Sequence, residues 1–312
     1  MNMKTLAAFA AAGLALVACA DPTTSPTGAP VQTTPSNAVS TNAANGSQLH
    51  GAPEHLFYAK GQNARKQTSV NMLWHNGAIL VSNKTQAIFW GPSWTTSTSD
   101  IIGGLDTFFA GFGGSNYAAA STEYTGTNGQ VTTSSTYLGH VIDASAAPTR
   151  ALSVTNAVAE ACKVTGNNPD PNALYLIYTE TGAGHVSYCA WHSYGTCSNG
   201  APVQVAYMPN ITGIAGCDPV DTYGTGHSEG LAALANVTAH ELSETITDPR
   251  NGGWYDSSGA ENGDKCAWSF TGPVTLKNGS VWKLQGEWSN NAYSAGTGYP
   301  NNSGQKGCLQ GA

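Results

Sequence analysis

The sequence predicts an α/β (α+β) domain in which a mixed sheet is flanked by helices. Apolar runs of strand length alternate along the chain with segments that have helical spacing. Residues 174–179 are apolar almost throughout, which is typical of a central strand buried on both faces of its sheet. Residues 228–247 have the spacing of a long helix, and Pro249 follows as a stop signal.

Local patterns predict the elements before residue 200. Residues 71–81 contain two short apolar segments around Asn76-Gly77, a pair that is typical of hairpin turns. Helical spacing predicts helices over residues 99–112 and 152–162. Extended segments are expected over residues 85–90, 117–124 and 136–142.

The later elements surround the long helix. Residues 202–208 are expected to form a strand at a sheet edge, because Pro202 has no amide hydrogen to donate. Four apolar residues of the helix should pack inward, namely Leu231, Leu234, Leu242 and Ile246. Glycine-rich loops come next, and a C-terminal hairpin is expected over residues 274–288 with its turn at Asn278-Gly279.

The N-terminus predicts export. Residues 1–20 have a positive Lys4, an apolar segment over residues 6–17, and a Leu-Val-Ala-Cys sequence that resembles a lipobox ending at Cys19. Cleavage there would leave a lipidated Cys19 as the only membrane attachment of an outer-membrane or cell-envelope lipoprotein. Cleavage after Ala20 would instead release the protein by ordinary secretion.

Composition divides the remaining chain into a tether and one domain. Residues 21–51 are rich in Pro, Thr, Ser, Asn and Ala, so they cannot bury enough apolar surface to fold and should form a flexible tether. Residues 52–312 are long enough for a single large domain. The net charge of −7, with no basic cluster, argues against nucleic acid and anionic membrane surfaces as partners.

The cysteine count fits an oxidising compartment. Apart from Cys19 the chain has six cysteines, and an even number in an exported protein predicts three disulfides. The candidates are Cys162, Cys189, Cys197, Cys217, Cys266 and Cys308. No C-x-x-C pair is present, which argues against structural zinc. Among many possible pairings we favour Cys266 with Cys308, since that bridge would hold the C-terminal tail.

The long helix contains a His-Glu-x-x-Glu motif. His240 and Glu244 are four residues apart, so they project from one helix face and could bind the same metal ion. Glu241 lies on the same turn and could act as general base on a metal-bound water. A solvated helix face or a buried polar network would explain the same residues. We favour the metal because only 10% of the chain is charged, yet acidic residues gather in this region.

A metal site of this kind needs a third ligand. Glu261 is the first candidate and Asp264 the second, because both follow the helix in a loop that can fold back on it. Asp248 and His192 are weaker candidates. Asp248 lies one turn beyond Glu244 but adjoins Pro249, and a disulfide at the nearby Cys189 would hold His192 still. His185 and His227 are further possibilities.

The predicted ligands favour one divalent metal ion. Zn²⁺ is the first expectation, and the carboxylates also leave Mn²⁺, Fe²⁺ or Ca²⁺ open. The sequence contains no G-x-S-x-G, P-loop or Rossmann fingerprint, so serine-nucleophile and nucleotide chemistry have no support.

Several segments resemble the exordium or phosphate-induced protein family. They are residues 74–80, 88–91, 138–143, 189–192, 247–249, 253–255 and 261–266, with the strand that ends at Thr179. The resemblance extends over residues 70–310. Members of that family are secreted proteins of plant cell walls and some microbes, and are linked to growth signalling in plants. The resemblance therefore implies export.

The motif helix also resembles that of zincin metalloproteases. The resemblance implies that His240 and Glu244 are metal ligands and that Glu241 is the base, although zincins have a second histidine where this chain has Glu244. The expected function is therefore a metal-dependent hydrolase, with a metalloendopeptidase acting on peptide or cell-wall material as the favoured class. We assume a monomer. The alternatives are a non-catalytic binding or adhesion module with or without a structural cation, and a metal-free scaffold for a cell-wall glycan.

Overall fold

The computed structural model describes residues 55–62 and 70–311. The predicted export signal, the predicted lipidation site at Cys19 and the predicted tether lie outside these residues. None of the helices within the described ranges combines the length and apolarity needed to cross a membrane.

The described chain contains fifteen strands and six α-helices, besides a 3₁₀ turn at Pro92–Thr96. The strands are β1 (His55–Tyr58), β2 (Leu73–Trp74), β3 (Asn83–Trp90), β4 (Thr125–Gly126), β5 (Gly129–Gln130), β6 (Ser135–Asp143), β7 (Ala173–Thr179), β8 (Tyr188–Thr196), β9 (Pro202–Met208), β10 (Trp254–Tyr255), β11 (Val274–Thr275), β12 (Val281–Trp282), β13 (Glu287–Trp288), β14 (Tyr299–Pro300) and β15 (Lys306–Leu309). The helices are α1 (Ile101–Phe112), α2 (Asn116–Ala119), α3 (Val154–Val164), α4 (Glu229–Thr247), α5 (Asn262–Lys265) and α6 (Asn290–Ala295).

Six strands form the central sheet in the order β1-β8-β9-β7-β3-β6. Strands β9, β7, β3 and β6 are parallel, whereas β8 and β1 continue the sheet in antiparallel pairing. The predicted mixed α/β architecture is therefore confirmed. The β1–β8 pair at the antiparallel end of the sheet provides one wall of the site described below.

Both faces of the sheet are covered. Along β7, Leu174, Leu176 and Tyr178 belong to the core that includes α1 and α4. Tyr175 and Ile177 point to the other face and belong to the core that includes α3. Every residue of β7 is buried, so its continuous apolar run correctly predicted a central strand.

Helix α4 is enclosed on all sides. Ser228 caps its N-terminus by accepting a hydrogen bond from the amide of Leu231. The four residues that were predicted to pack inward are buried, and so is every residue from 230 to 247. The interpretation of the motif as a solvated helix face is therefore wrong. His240, Glu241 and Glu244 project into the protein interior.

The prediction of a hairpin over residues 71–81 is wrong. Strand β2 pairs with β10, which lies far along the chain. The Asn76-Gly77 pair serves this docking, because the amide of Gly77 donates to the carbonyl of Gly252 at 2.6 Å. A Cβ atom on Gly77 would lie 2.4 Å from that same oxygen, so only glycine permits the approach.

Two other local predictions are corrected. The extended segment expected over residues 117–124 begins inside helix α2. Ser115 caps the N-terminus of this helix by accepting a hydrogen bond from the Ala118 amide. Strand β9 is interior, not an edge strand. Its Pro202 is tolerated because the pairing with β7 begins only at Gln204, so no ladder hydrogen bond of β7 needs the proline nitrogen.

The predicted C-terminal hairpin is shorter than expected. Strands β11 and β12 pair around the turn at Asn278-Gly279, as predicted. The pairing ends at Trp282, and β13 joins β15 instead. The pairing does not extend through Gln285, whose backbone amide donates instead to Oδ1 of Asn236 on α4 at 2.8 Å.

Three disulfides link Cys162 to Cys197, Cys189 to Cys217 and Cys266 to Cys308. The predicted use of all six cysteines and the favoured Cys266–Cys308 bridge are confirmed. Three bridges are typical of proteins in oxidising compartments and suggest an exported environment. The Cys189–Cys217 bridge holds β8, the strand that also carries His192.

Candidate metal centre

Three parts of the fold meet around a cluster of buried ionisable side chains. Helix α4 contributes His240, Glu241 and Glu244. The paired strands β1 and β8 contribute His55 and His192, which lie opposite each other in the strand register. Helix α5 and its N-cap contribute Asp264 and Glu261.

Residues His240, Glu244 and Asp264 form one set, called here the helix group. The Nε2 atom of His240 lies 3.1 Å from Oε1 of Glu244 and 3.9 Å from Oδ1 of Asp264. The Asp264 amide also donates to Glu244 Oε1 at 2.8 Å, which fixes the two acidic residues relative to each other. One ligand atom from each member lies within 4.8 Å of the others, so the set could hold a metal ion.

Gly263 allows the α5 loop to approach the helix group. A Cβ atom at this position would lie 2.8 Å from Nδ1 of His240 and 2.9 Å from Oε1 of Glu244. Gln285 holds the ring from the same side, since its amide donates to His240 Nδ1 at 3.0 Å and to the Gly263 carbonyl at 2.8 Å. Phe57 of β1 stacks on the imidazole with the ring centroids 3.7 Å apart.

Residues His55, His192 and Glu261 form a second set, called here the strand group. Oε2 of Glu261 lies 2.6 Å from Nδ1 of His55 and 3.7 Å from Nε2 of His192. The two imidazoles are stacked at 4.5 Å. These residues could also hold a metal ion, since one ligand atom from each lies within 4.8 Å of the others.

Glu241 lies between the two groups. Its Oε2 is 3.0 Å from Nδ1 of His192, and Oε2 of Glu244 is 3.6 Å from that same nitrogen. His192, Glu241 and Glu244 are thus a third combination that could hold a cation. His192 consequently faces the helix side with one ring nitrogen and the strand side with the other.

The cluster is almost entirely shielded from solvent. Its three glutamates and three histidines are buried, whereas the side chain of Asp264 keeps 24% of its surface exposed. Asp264 forms part of the wall of a cavity of about 420 Å³, which Trp268, Asn301 and Gln305 also line. Solvent or a substrate in that cavity would therefore reach the helix group through Asp264.

Burial favours the uncharged forms of these groups. It raises the pKa of the Glu241 carboxyl well above its ordinary value, and the carboxylates of Glu244, Asp264 and Glu261 raise it further. Four acidic groups in one buried cluster are costly as anions unless a cation accompanies them.

Burial also favours the uncharged forms of two histidines by lowering their pKa values. Burial lowers the pKa of His240 to about 4, although Asp264 and the hydrogen bond to Gln285 oppose the shift. Burial also lowers the pKa of His192 well below its ordinary value, and the neighbouring His55 and His240 add to that effect. Neutral imidazoles are the form that binds metals.

The structure separates the predicted ligands in a way the sequence does not indicate. His240 and Glu244 are adjacent, as helical spacing predicts, and Asp264 accompanies them. Glu261, which was our first candidate for the third ligand, lies instead in the strand group. His192 takes part in two of the three combinations.

Other candidates lie outside the cluster. Asp248 ends α4, and its Oδ1 accepts from the amides of Gly252 and Gly253, each at 2.8 Å. His227 contacts the carbonyl of Val281 and stacks on Trp282. His185 is exposed to solvent.

Sequence reasoning missed His55. No motif surrounds this histidine, and it reaches the cluster only through pairing of β1 with β8. The sole local signal is that His55 alternates with Phe57 as a buried position of a short strand.

No family model, curated protein or solved structure matches this chain. The resemblance to the exordium family therefore stays a prediction based on the segments quoted for it. The function is therefore inferred from the geometry of the buried cluster.

Proposed function

We propose that the protein is an exported metal-dependent hydrolase whose metal ion binds at the helix group. One observation carries the proposal: His240, Glu244 and Asp264 bring three ligand atoms within 4.8 Å of one another, and Asp264 reaches a cavity. Catalytic metal sites differ from structural ones in keeping such access for substrate or water.

The chemistry would be divided among neighbouring side chains. A bound divalent ion acidifies water and polarises a carbonyl group. His240 and Glu244 would hold the ion from consecutive turns of α4. Glu241 would accept the proton through Oε1, because that atom has no hydrogen-bond partner among the described residues while Oε2 is engaged by His192.

Zinc is the first candidate for the ion, with manganese, iron and calcium as competitors. One imidazole and two carboxylates form a harder ligand set than a histidine-rich site, which keeps these metals in competition. A peptide substrate is suggested by the similarity of the motif to zincins. The three disulfides support export, and Cys19 is the proposed lipid attachment site.

A non-catalytic binding module with a structural cation is the second candidate. Deep burial favours it, because His240 and Glu241 have no exposed surface and Glu244 has 1%. A cation enclosed to that degree could stabilise the junction between α4 and α5 without meeting a substrate.

The deciding experiment compares wild type with Glu241→Gln in metal content and in hydrolysis of a protein substrate such as casein. We expect the variant to keep its metal and to lose activity by roughly 10²-fold or more, since it lacks the general base. Glu160→Gln is the matched control, because Glu160 is also buried but lies on α3 away from the cluster.

Full activity of Glu241→Gln would reject the general-base role. A wild-type protein that binds metal and cleaves no substrate, but melts at lower temperature after chelation, would favour the binding module. Loss of metal in His240→Ala would assign the ion to the helix group in either case.

A further inference from the structure

We infer that the strand group binds a second divalent cation, so that the buried centre holds two ions. The inference deepens the proposed function, because a second ion beside the first would help to neutralise charge at the reaction site. The strand group shares no ligand with the helix group. The second ion therefore has evidence and a test of its own, separate from those of the helix-group ion.

The two histidines of the strand group are held by the sheet. His55 and His192 lie on neighbouring antiparallel strands in direct register, which places their side chains next to each other on one face. The rings are stacked at 4.5 Å with an interplanar angle of 14°. Glu261 reaches both rings from the N-terminus of α5. Ligands on regular backbone are positioned more rigidly than ligands on loops.

Buried ring nitrogens that make no hydrogen bond point to a missing ligand. Both ring nitrogens of His55 and Nε2 of His192 are buried and have no hydrogen-bond partner within residues 55–62 and 70–311. The close contact between His55 Nδ1 and Glu261 is not oriented as a hydrogen bond, although the two atoms are 2.6 Å apart. Leaving such groups unsatisfied is costly, and a cation bound by both rings would remove that cost.

His192 is arranged as metal-bound histidines commonly are. Its Nδ1 is 3.0 Å from the Glu241 carboxylate, which orients the ring and directs the lone pair of Nε2 to the strand group. His240 has the opposite arrangement, because its Nδ1 accepts a hydrogen bond from Gln285. A metal ion at His240 Nε2 would require the proton on Nδ1, and hence a rotation of the Gln285 amide.

Two imidazoles and one carboxylate select the type of ion. This ligand set suits Zn²⁺ or Fe²⁺ and is unsuited to Ca²⁺ or Mg²⁺, which prefer oxygen ligands. A metal-free network in which His55 and Glu261 form only an ion pair is the competing account.

The test measures metal stoichiometry on the mature exported chain, stripped with chelator and titrated with Zn²⁺ and Co²⁺. We expect about two equivalents in wild type and about one in His55→Ala and in His240→Ala, each variant losing a different ion. His140→Ala is the matched control, because His140 is likewise paired with a carboxylate, that of Asp106, outside the cluster. This control should bind as much metal as wild type.

The outcomes separate this inference from the proposed function. A single equivalent that survives in His55→Ala and disappears in His240→Ala would overturn the strand-group ion and leave the proposed hydrolase site standing. A single equivalent lost in His55→Ala and kept in His240→Ala would support the strand group and reject the helix-group ion.

Folding of the variants is checked by melting temperature. If His55→Ala does not fold, Glu261→Leu replaces it, because leucine is of similar size and has no ligand atom. Undiminished stoichiometry in a folded Glu261→Leu protein would overturn the inference.

Discussion

The helix group and the strand group use the same kinds of side chain but differ in how the chain assembles them. In the helix group, two ligands follow from the i, i+4 spacing of one helix, so the sequence alone predicts them. In the strand group, the ligands come from β1, β8 and the N-terminus of α5, which lie far apart in the sequence. A motif therefore reveals the part of a metal centre built by local geometry and conceals the part built by strand pairing.

The largest effect is expected from a substitution that blocks the helix group sterically and leaves the strand group free to bind metal. Gly263→Ala would place a methyl group 2.8 Å from His240 Nδ1 and 2.9 Å from Glu244 Oε1, so the helix group should lose its ion and its hydrolytic activity. The strand group should still bind metal. Gly272→Ala is the control, since a Cβ atom there meets nothing within 4 Å. Metal analysis of both variants checks the prediction, and normal activity in Gly263→Ala would contradict it.

Removing a disulfide tests whether β8 must be held in place. Replacing both Cys189 and Cys217 with serine should destabilise the fold by about 3–4 kcal/mol and weaken metal binding at the strand group. The Cys162–Cys197 bridge closes a loop of similar length and belongs to the core on the other face of the sheet, so its removal should cost a similar amount and spare the metal. Urea unfolding and zinc titration measure the two effects. A zinc affinity equal to that of wild type after loss of the Cys189–Cys217 bridge would show that this bridge has no role in the centre.

The contact between Glu241 and His192 predicts a smaller effect on the strand group. Glu241→Ala removes the group that orients His192, so zinc affinity at the strand group should fall by roughly 10- to 100-fold. Glu241→Gln should reduce the affinity less, because its amide oxygen can still accept from Nδ1. Isothermal titration in a His240→Ala background isolates this ion. The same affinity in the alanine and glutamine variants would argue against the contact.

The smallest effect concerns a buried acid outside both groups. Burial raises the pKa of Glu160 to about 7, with the neighbouring Asp143 adding to the shift and Lys163 opposing it. The folded protein thus binds more protons at Glu160 than the unfolded chain, so this contribution to stability falls as pH rises from about 4.5 to 7. Glu160→Gln should therefore lose less stability than wild type across that interval. Urea unfolding at several pH values measures the effect. If the free energies of unfolding of the two proteins changed equally with pH, the assignment would be contradicted.

The sequence predicted the parts of the fold that local chemistry determines. The apolar run of β7 and the capped, proline-terminated α4 were correctly located, because burial and helix ends leave strong local signals. The Asn76-Gly77 turn was misread, because the same pair can close a hairpin or allow a distant loop to approach. Pro202 was misread for a related reason, since its effect depends on which neighbour needs its amide.

The candidate site shows the same limit at the level of side chains. Helical spacing predicted that His240 and Glu244 lie together. Whether Glu261 or Asp264 joins them as the third ligand depends on how the short helix α5 lies against α4. His55 could not have been selected, because its relevance follows entirely from its register with His192. Register is set by the pairing of whole strands, and no residue near His55 encodes it.

Strand β1 contacts both groups although it contains only four residues. His55 belongs to the strand group, and two positions later Phe57 lies against the ring of His240. Strand β1 is also at the edge of the sheet, where pairing is least protected. Metal uptake should consequently slow hydrogen exchange at the amides of this strand, and fraying of the strand should release metal. Metal occupancy of the centre would then report whether strand β1 is paired with β8.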